Sequence, residues 1–270
     1  NRQGRYSLRI CDLETRDMRV VQRGGFRIPQ NADRSFPLPA WHPNGRILAF
    51  LTEEKGYLWL NFYDLEKKKT ERREFFAFDK VLSMTYSPDG KKLLMSTVKD
   101  GRSDISLYTI LSTSVEAITD DIYDDLDPVF VQGSKRILFR SNRSSNELDA
   151  ADEKTAPSTS PFHDLFIANR KRGETDPLLW RITQTPDVDE DQPQAVGNAQ
   201  MVYVSAQNGF RNTYRVDIDS SIAYVDTAVH YRYTFKKYGL PLNIFHEKFP
   251  VYPYFALHQV DGLKEKPGFL

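Results

Sequence analysis

The chain repeats one short pattern four times, and a repeat of this period restricts the fold more than any other feature. The copies read Pro39-Ala40-Trp41-His42-Pro43-Asn44-Gly45, Met84-Thr85-Tyr86-Ser87-Pro88-Asp89-Gly90, Asp127-Pro128-Val129-Phe130-Val131-Gln132-Gly133 and Gln192-Pro193-Gln194-Ala195-Val196-Gly197-Asn198. An apolar run follows each at once, over 47–51, 93–95, 137–139 and 201–204. Trp41 and Tyr86 are 45 residues apart, Tyr86 and Phe130 are 44, and Phe130 and Ala195 are 65. A period in the 40s marks a small unit that cannot bury its own apolar face and must stack on copies of itself. The extra length of the third interval falls in 143–161, RSSNELDAADEKTAPSTSP. That stretch is polar and poor in β-branched and aromatic residues, so it cannot offset the entropy of ordering it.

Within one period the pattern predicts four strands, as in an all-β propeller of four-stranded antiparallel blades. One unit reads 82–86, 92–97, 104–110 and 114–119, and the unit before it 38–41, 47–51, 57–65 and 70–75. Two further units read 129–131, 136–141, 164–169 and 179–183, then 194–196, 200–205, 212–218 and 222–225. Residues 6–13 and 18–21 supply a half unit, matching the third and fourth strands. Four blades and a half are therefore expected over 1–233. Beyond Tyr233 the repeat fails, and 234–270 reads as an aromatic and Pro-rich extended tail or part of a neighbouring domain. Pro250 and Pro253 would each remove a ladder donor from a central strand there.

Composition narrows the function classes. Lys plus Arg number 37 and Asp plus Glu 37, a formal net charge of zero. A nucleic-acid binder needs a basic surface to exchange for phosphate counterions, so no nucleic-acid partner is expected. The single cysteine, Cys11, excludes an intrachain disulfide. No apolar run reaches the length of a membrane-spanning helix. The chain opens on Asn1 in mid-blade, which suggests a piece of something longer.

Catalytic patterns are missing. There is no Gly-x-Ser-x-Gly elbow, and Gly133-Ser134 sits in a blade turn. His42, His163, His230, His246 and His258 do not fall at paired ligand spacings. Neither an enzyme activity nor a cofactor nor a metal is expected. The remaining candidates are acidic: 120–127 (DDIYDDLD) before one inner strand and 187–191 (DVDED) before the next. Strands in a blade alternate in direction, so both loops and the 143–161 insertion should lie on one face, near the mouth of the channel. Three readings of these loops stay open: solvated turn caps, a face that steers a polar or basic protein segment, or a Ca²⁺ site without EF-type spacing. The partner-binding candidates are Asp124, Asp125, Asp127, Asp189 and Asp191. Trp41, Trp59, Tyr86, Phe130 and Trp180 are expected in the blade core.

The repeat resembles the TolB-type propeller repeat: an inner strand ending in an aromatic residue and Ser-Pro-Asp-Gly, a Lys/Arg-hydrophobic strand, then an Asp-hydrophobic-Tyr strand. Tyr86-Ser87-Pro88-Asp89-Gly90-Lys91-Lys92-Leu93 is the nearest copy, and Asp104-Ile105-Ser106-Leu107-Tyr108 and Asp164-Leu165-Phe166-Ile167 fit the third strand. Asn44 replaces Asp in the first copy, and the third and fourth copies lack the Ser-Pro-Asp-Gly turn. The resemblance, over residues 4–225, implies six or more blades in the full-length protein. It also implies a periplasmic or outer-membrane-associated place in a Gram-negative envelope and envelope-protein partners. The same repeat occurs in the propellers of prolyl-oligopeptidase-like enzymes, which leaves a peptidase propeller as an alternative. An accessory subunit of an outer-membrane transport complex is another.

Overall fold

The computed structural model describes residues 5–25, 35–144, 159–169, 179–185, 187–198 and 200–218, and the backbone of three further strands within 224–259. Every regular element among them is a strand. A two-stranded sheet pairs β1 (Arg5–Cys11) with β2 (Met18–Gly25). The first blade is β3 (Leu38–Trp41), β4 (Ile47–Glu54), β5 (Tyr57–Asp64) and β6 (Lys69–Phe75). The second is β7 (Lys80–Tyr86), β8 (Lys92–Lys99), β9 (Arg102–Thr109) and β10 (Ser114–Ala117). The third is β11 (Asp125–Val131), β12 (Arg136–Ser141), β13 (Asp164–Asn169) and β14 (Leu179–Arg181).

The fourth blade departs from the expected order. β15 (Glu190–Val196), β16 (Gln200–Ser205) and β17 (Asn212–Ile218) pair in sequence, but the outer strand is not 222–225. Tyr224 and Val225 instead begin β18 (Tyr224–Tyr231), which pairs only with β19 (Ile244–Val251). The outer position beside β17 is taken by β20 (Leu257–Gln259), so strand pairing runs on past Tyr233. Pro250 lies in β19, a strand with one paired edge, where a missing N–H is tolerated.

Burial follows the radial position of each strand. The second strands β4, β8 and β12 are buried on both faces, because blades pack against them from either side. Outer strands β6 and β10 are mostly exposed and charged or polar, which blunts their free edges. Inner strands β3, β7, β11 and β15 neighbour one another in turn around the centre. Apolar clusters fill each interblade space. Ala49 and Leu51 meet Met84, Tyr86 and Leu93 between the first two blades. Leu94 and Ile105 meet Phe130 and Ile137 at the next space, and Leu138 and Ile167 meet Met201 at the last.

The turns explain the repeat. Gly45 and Gly90 hold φ of 68° and 71°, a region that excludes most side chains. Gly90 is required a second time, because a Cβ there would fall 2.1 Å from Nε2 of His42 in the neighbouring blade's turn. Asp89 accepts from Ser87 Oγ at 2.6 Å and from the Lys91 amide at 3.1 Å, a local turn role.

Candidate functional site

The face that carries the acidic loops is organised by a latch repeated in the second and third blades. Asp104 lies two residues beyond the start of the third strand β9, and Asp164 opens the third strand β13. Each is met by a threonine just beyond the outer strand of its own blade, in Ile118-Thr119-Asp120-Asp121 and Ile182-Thr183-Gln184-Thr185. Thr119 Oγ1 accepts from the Ile105 amide at 2.9 Å and donates to Asp104 Oδ1 at 3.3 Å. Thr183 Oγ1 accepts from the Leu165 amide at 2.8 Å and lies 3.2 Å from Asp164 Oδ1. The amides of Asp121 and Thr185 complete the latches, at 3.2 and 3.0 Å.

A second carboxylate enters each junction from the next inner strand. Asp125 opens β11 opposite Ser141, and Glu190 opens β15 opposite Ser205. Between the second and third blades the counter-charge is Arg143, fully buried just after β12. Its Nη2 donates to Asp121 Oδ2 at 3.0 Å and to Asp125 Oδ2 at 2.7 Å, and its Nε to Ser141 Oγ at 2.9 Å. The guanidinium also lies 5.1 Å from the Tyr123 ring centroid. Between the third and fourth blades the counter-charge is Arg181, which pairs with Asp164 and donates from Nε to the Thr183 carbonyl at 3.1 Å. Glu190 is held by Thr185 Oγ1 at 2.5 Å and Ser205 Oγ at 3.3 Å.

Acids outnumber bases at these junctions, and burial disfavours their charge. Burial pushes Asp104 up to about 6, with the charges of Asp125, Asp121 and Asp120 adding to it. Burial also raises Asp125, against the pull of Arg143. Glu190 is pushed up to about 7 by burial and by the neighbouring Asp164. Ligand oxygens of Asp104, Asp121 and Asp125 lie within 4.8 Å of one another, the only such group among the described residues. Arg143 Nη2 already stands between Asp121 and Asp125, so a guanidinium fills the cation's place there.

The five aspartates singled out from sequence come to this one face in different states. Asp124 is exposed and accepts from Ser103 Oγ, while its amide donates to Asn142 Oδ1 at 2.9 Å. Asp125, one residue on, is wholly buried in the Arg143 pair, which removes it from any partner surface. Asp127 sits at a bulge of β11 with φ of 50° and accepts from Arg140 Nε at 2.7 Å. Asp191 accepts from Arg140 Nη1 at 3.0 Å and from Arg211 Nη2 at 2.8 Å. Asp189 accepts from the amide and Nδ1 of His163 at 2.9 and 3.0 Å. Burial opposes its charge, but these contacts hold the carboxyl below its ordinary range.

Asn142 and His163 flank the 143–161 insertion and bond to Asp124 and Asp189, so its two ends lie beside the acidic loops. Residues 145–158 of it lie outside the described residues. Asp127 also borders a cleft of about 510 Å³ along inner strands β7, β11 and β15, lined by Ser83, Thr85, Pro128, Gln192 and Tyr203. Sequence reasoning missed Arg140, Arg143, Arg181 and Glu190. Aligning the repeats would have paired Glu190 with Asp125, but the arginines have no repeat signature. Of the five aromatics expected in the core, Tyr86 and Phe130 are buried and Trp41 is half exposed. Trp180 is partly buried against the third core cluster with Arg136 over its ring at 4.6 Å, and the half-buried Trp59 lies under Arg72 at 3.8 Å.

Stacked four-stranded blades with a Thr–Asp latch make this an all-β propeller, and its architecture is TolB-like. A TolB-type structure from Agrobacterium tumefaciens is 18% identical with a TM-score of 0.54, covering 90% of this chain and 84% of that one. The TolB structure from Acinetobacter baumannii is 15% identical with a TM-score of 0.48 over 77% of this chain, which spans 48% of that one. A prolyl endopeptidase structure is 12% identical with a TM-score of 0.48 over 80% of this chain and 33% of that one. No family model matches the sequence, and no curated protein matches it. At these identities the Agrobacterium likeness shows the fold alone.

Proposed function

We propose that this chain is a non-catalytic protein-interaction scaffold of the bacterial cell envelope, binding envelope proteins through its acidic-loop face. The observation that carries the reading is the lattice of ion pairs there, in which Asp127, Arg140, Asp191 and Arg211 link the third and fourth blades. Such a lattice pre-organises loops, so a partner binds without a large ordering cost. Asp124 and Asp189 keep exposed carboxylate surface for steering a basic or polar segment. The TolB-type repeat and fold support the envelope placement.

Cross-linking of the native full-length protein in its envelope, with mass spectrometry, tests the reading. Links from the acidic face to envelope proteins are expected. The combined Asp124→Asn and Asp189→Asn variant should slow association and flatten its salt dependence with the fold unchanged. Links confined to a hydrolase domain of its own chain, or unchanged association of the variant, would overturn it.

A further inference from the structure

The latches and ion pairs of the acidic face satisfy their own polar groups, but the cleft along β7, β11 and β15 does not. Three residues before Tyr86, Phe130 and Ala195, the repeat sets Ser83, Asp127 and Gln192 at one equivalent position. All three line the cleft, and Thr85, Val129 and Gln194, two residues on, line it as a second tier. The equivalent residue of the first blade is Leu38, so the blade itself does not demand a polar side chain there. Ser83 Oγ is buried with no hydrogen-bond partner. Thr85, Gln192 and Gln194 make no side-chain hydrogen bond among the described residues. Asp127 engages Arg140 Nε through Oδ2, and nothing among the described residues bonds its Oδ1.

The backbone is bent to hold this tier. Asp127 and Gln192 have φ of 50° and 52°, a left-handed conformation uncommon for residues with a side chain, and each precedes a proline. Each sits in a break of its ladder, between Leu126 and Val129 in β11 and between Asp191 and Gln194 in β15. β7 has a break of its own, between Val81 and Ser83. Bulges of this kind re-aim side chains beside sites. Pro128 and Pro193 also remove two backbone donors from the wall. Asp127 is the one charged residue among the described lining, which holds no Lys, Arg or His. Arg140 offsets its charge only in part, because it also serves Asp191 at 3.0 Å. An anion finds no counter-charge in this cleft, and Tyr203, 4% exposed, gives a sugar no ring to stack on. Met84, Val129, Val202 and Val204 offer apolar wall to a methylene stem.

We infer that the cleft binds the cationic end of an unbranched alkyl chain, an ammonium or guanidinium. The head sits at Asp127, Ser83 and Gln192, and the methylenes lie along Val129 and Val202. At about 510 Å³ the cleft is of ordinary size for a small-ligand site. Two sources carry this chemistry, a free polyamine and the Lys or Arg side chain of a protein segment. The cleft would take either whether or not an envelope protein docks on the acidic loops.

Calorimetric titration of the full chain with spermidine and with a blocked Gly-Arg-Gly tripeptide tests this site. Saturable one-to-one binding with Kd below about 1 mM is expected for at least one of them. Tighter binding of spermidine assigns the site to free polyamines, and tighter binding of the tripeptide assigns it to a partner's side chain. A linear diamine should bind about tenfold more tightly than the diol of the same chain length, because hydrogen bonds to a charged group are the stronger. Asp127→Asn should weaken spermidine or the tripeptide about tenfold. Gln192→Leu, which touches no ion pair, should weaken the same probe roughly fivefold with Tm unchanged. No saturable binding of either probe, equal binding of diamine and diol, or an affinity unmoved by both variants would overturn the inference.

Discussion

Between the second and third blades two buried aspartates, Asp121 and Asp125, pair with one guanidinium that has no solvent access, and the half-buried Asp104 lies close by. Between the third and fourth, Asp164 and Glu190 share surroundings with an arginine whose side chain is 23% exposed. Both junctions use the same threonine latch, so the difference lies in how their buried charge is neutralised. In the first a permanent cation does it. In the second the alternative is a proton, because Glu190 is crowded by Asp164 and held by hydroxyls rather than by a cation. A buried ion pair is costly to form and far costlier to break, since removing one member strands the other in a medium that cannot solvate it.

The largest expected effect is therefore Arg143→Met, which leaves Asp121 and Asp125 buried without a counter-charge. It should lower unfolding free energy in urea by about 3–5 kcal/mol. Arg181→Met at the other junction should cost less, about 1–3 kcal/mol, because water can approach its partner. Equal losses would erase the distinction between the junctions.

The proton at the second junction gives a pH signature. The folded pKa of Glu190, about 7, stands above its ordinary 4.5. The native state therefore binds more protons between those values, and stability is lost as pH rises through about 7. Glu190→Gln should flatten the pH dependence of Tm between pH 5 and 8 and raise stability at pH 8 by about 1–2 kcal/mol. A Tm profile unchanged by Glu190→Gln would mean that the carboxyl is ionised throughout. The smallest effects belong to the shared part. Thr119→Val and Thr183→Val each remove one latch hydroxyl and should cost about 1 kcal/mol apiece. A clear inequality between them would show that the latches are not equivalent.

Much of the fold was legible in the residues. The Asn/Asp-Gly turns, the apolar second strands and the half unit at 6–21 all follow from backbone conformation and alternation, which act locally. The fourth blade's outer strand was not legible. Residues 222–225 and 257–259 are both plausible strands, and only pairing with β17 selects between them. The candidate site was legible as a face but not as chemistry. Asp124 and Asp125 are adjacent acids in one run, yet alternation sends one outward and the other into the Arg143 pair.

The sequence by itself determined the repeat, the blade and the end of the propeller on which the acids gather. Turn residues and strand periodicity operate over a few positions, and the chain writes them out directly. Only the tertiary structure decided which carboxylates are charged, neutral or available. That depends on cations brought from far along the chain, Arg143 from 18 residues beyond Asp125 and Arg140 from 51 before Asp191. It depends equally on water excluded when one blade closes on the next, and neither distance nor dielectric is encoded in any local run of residues.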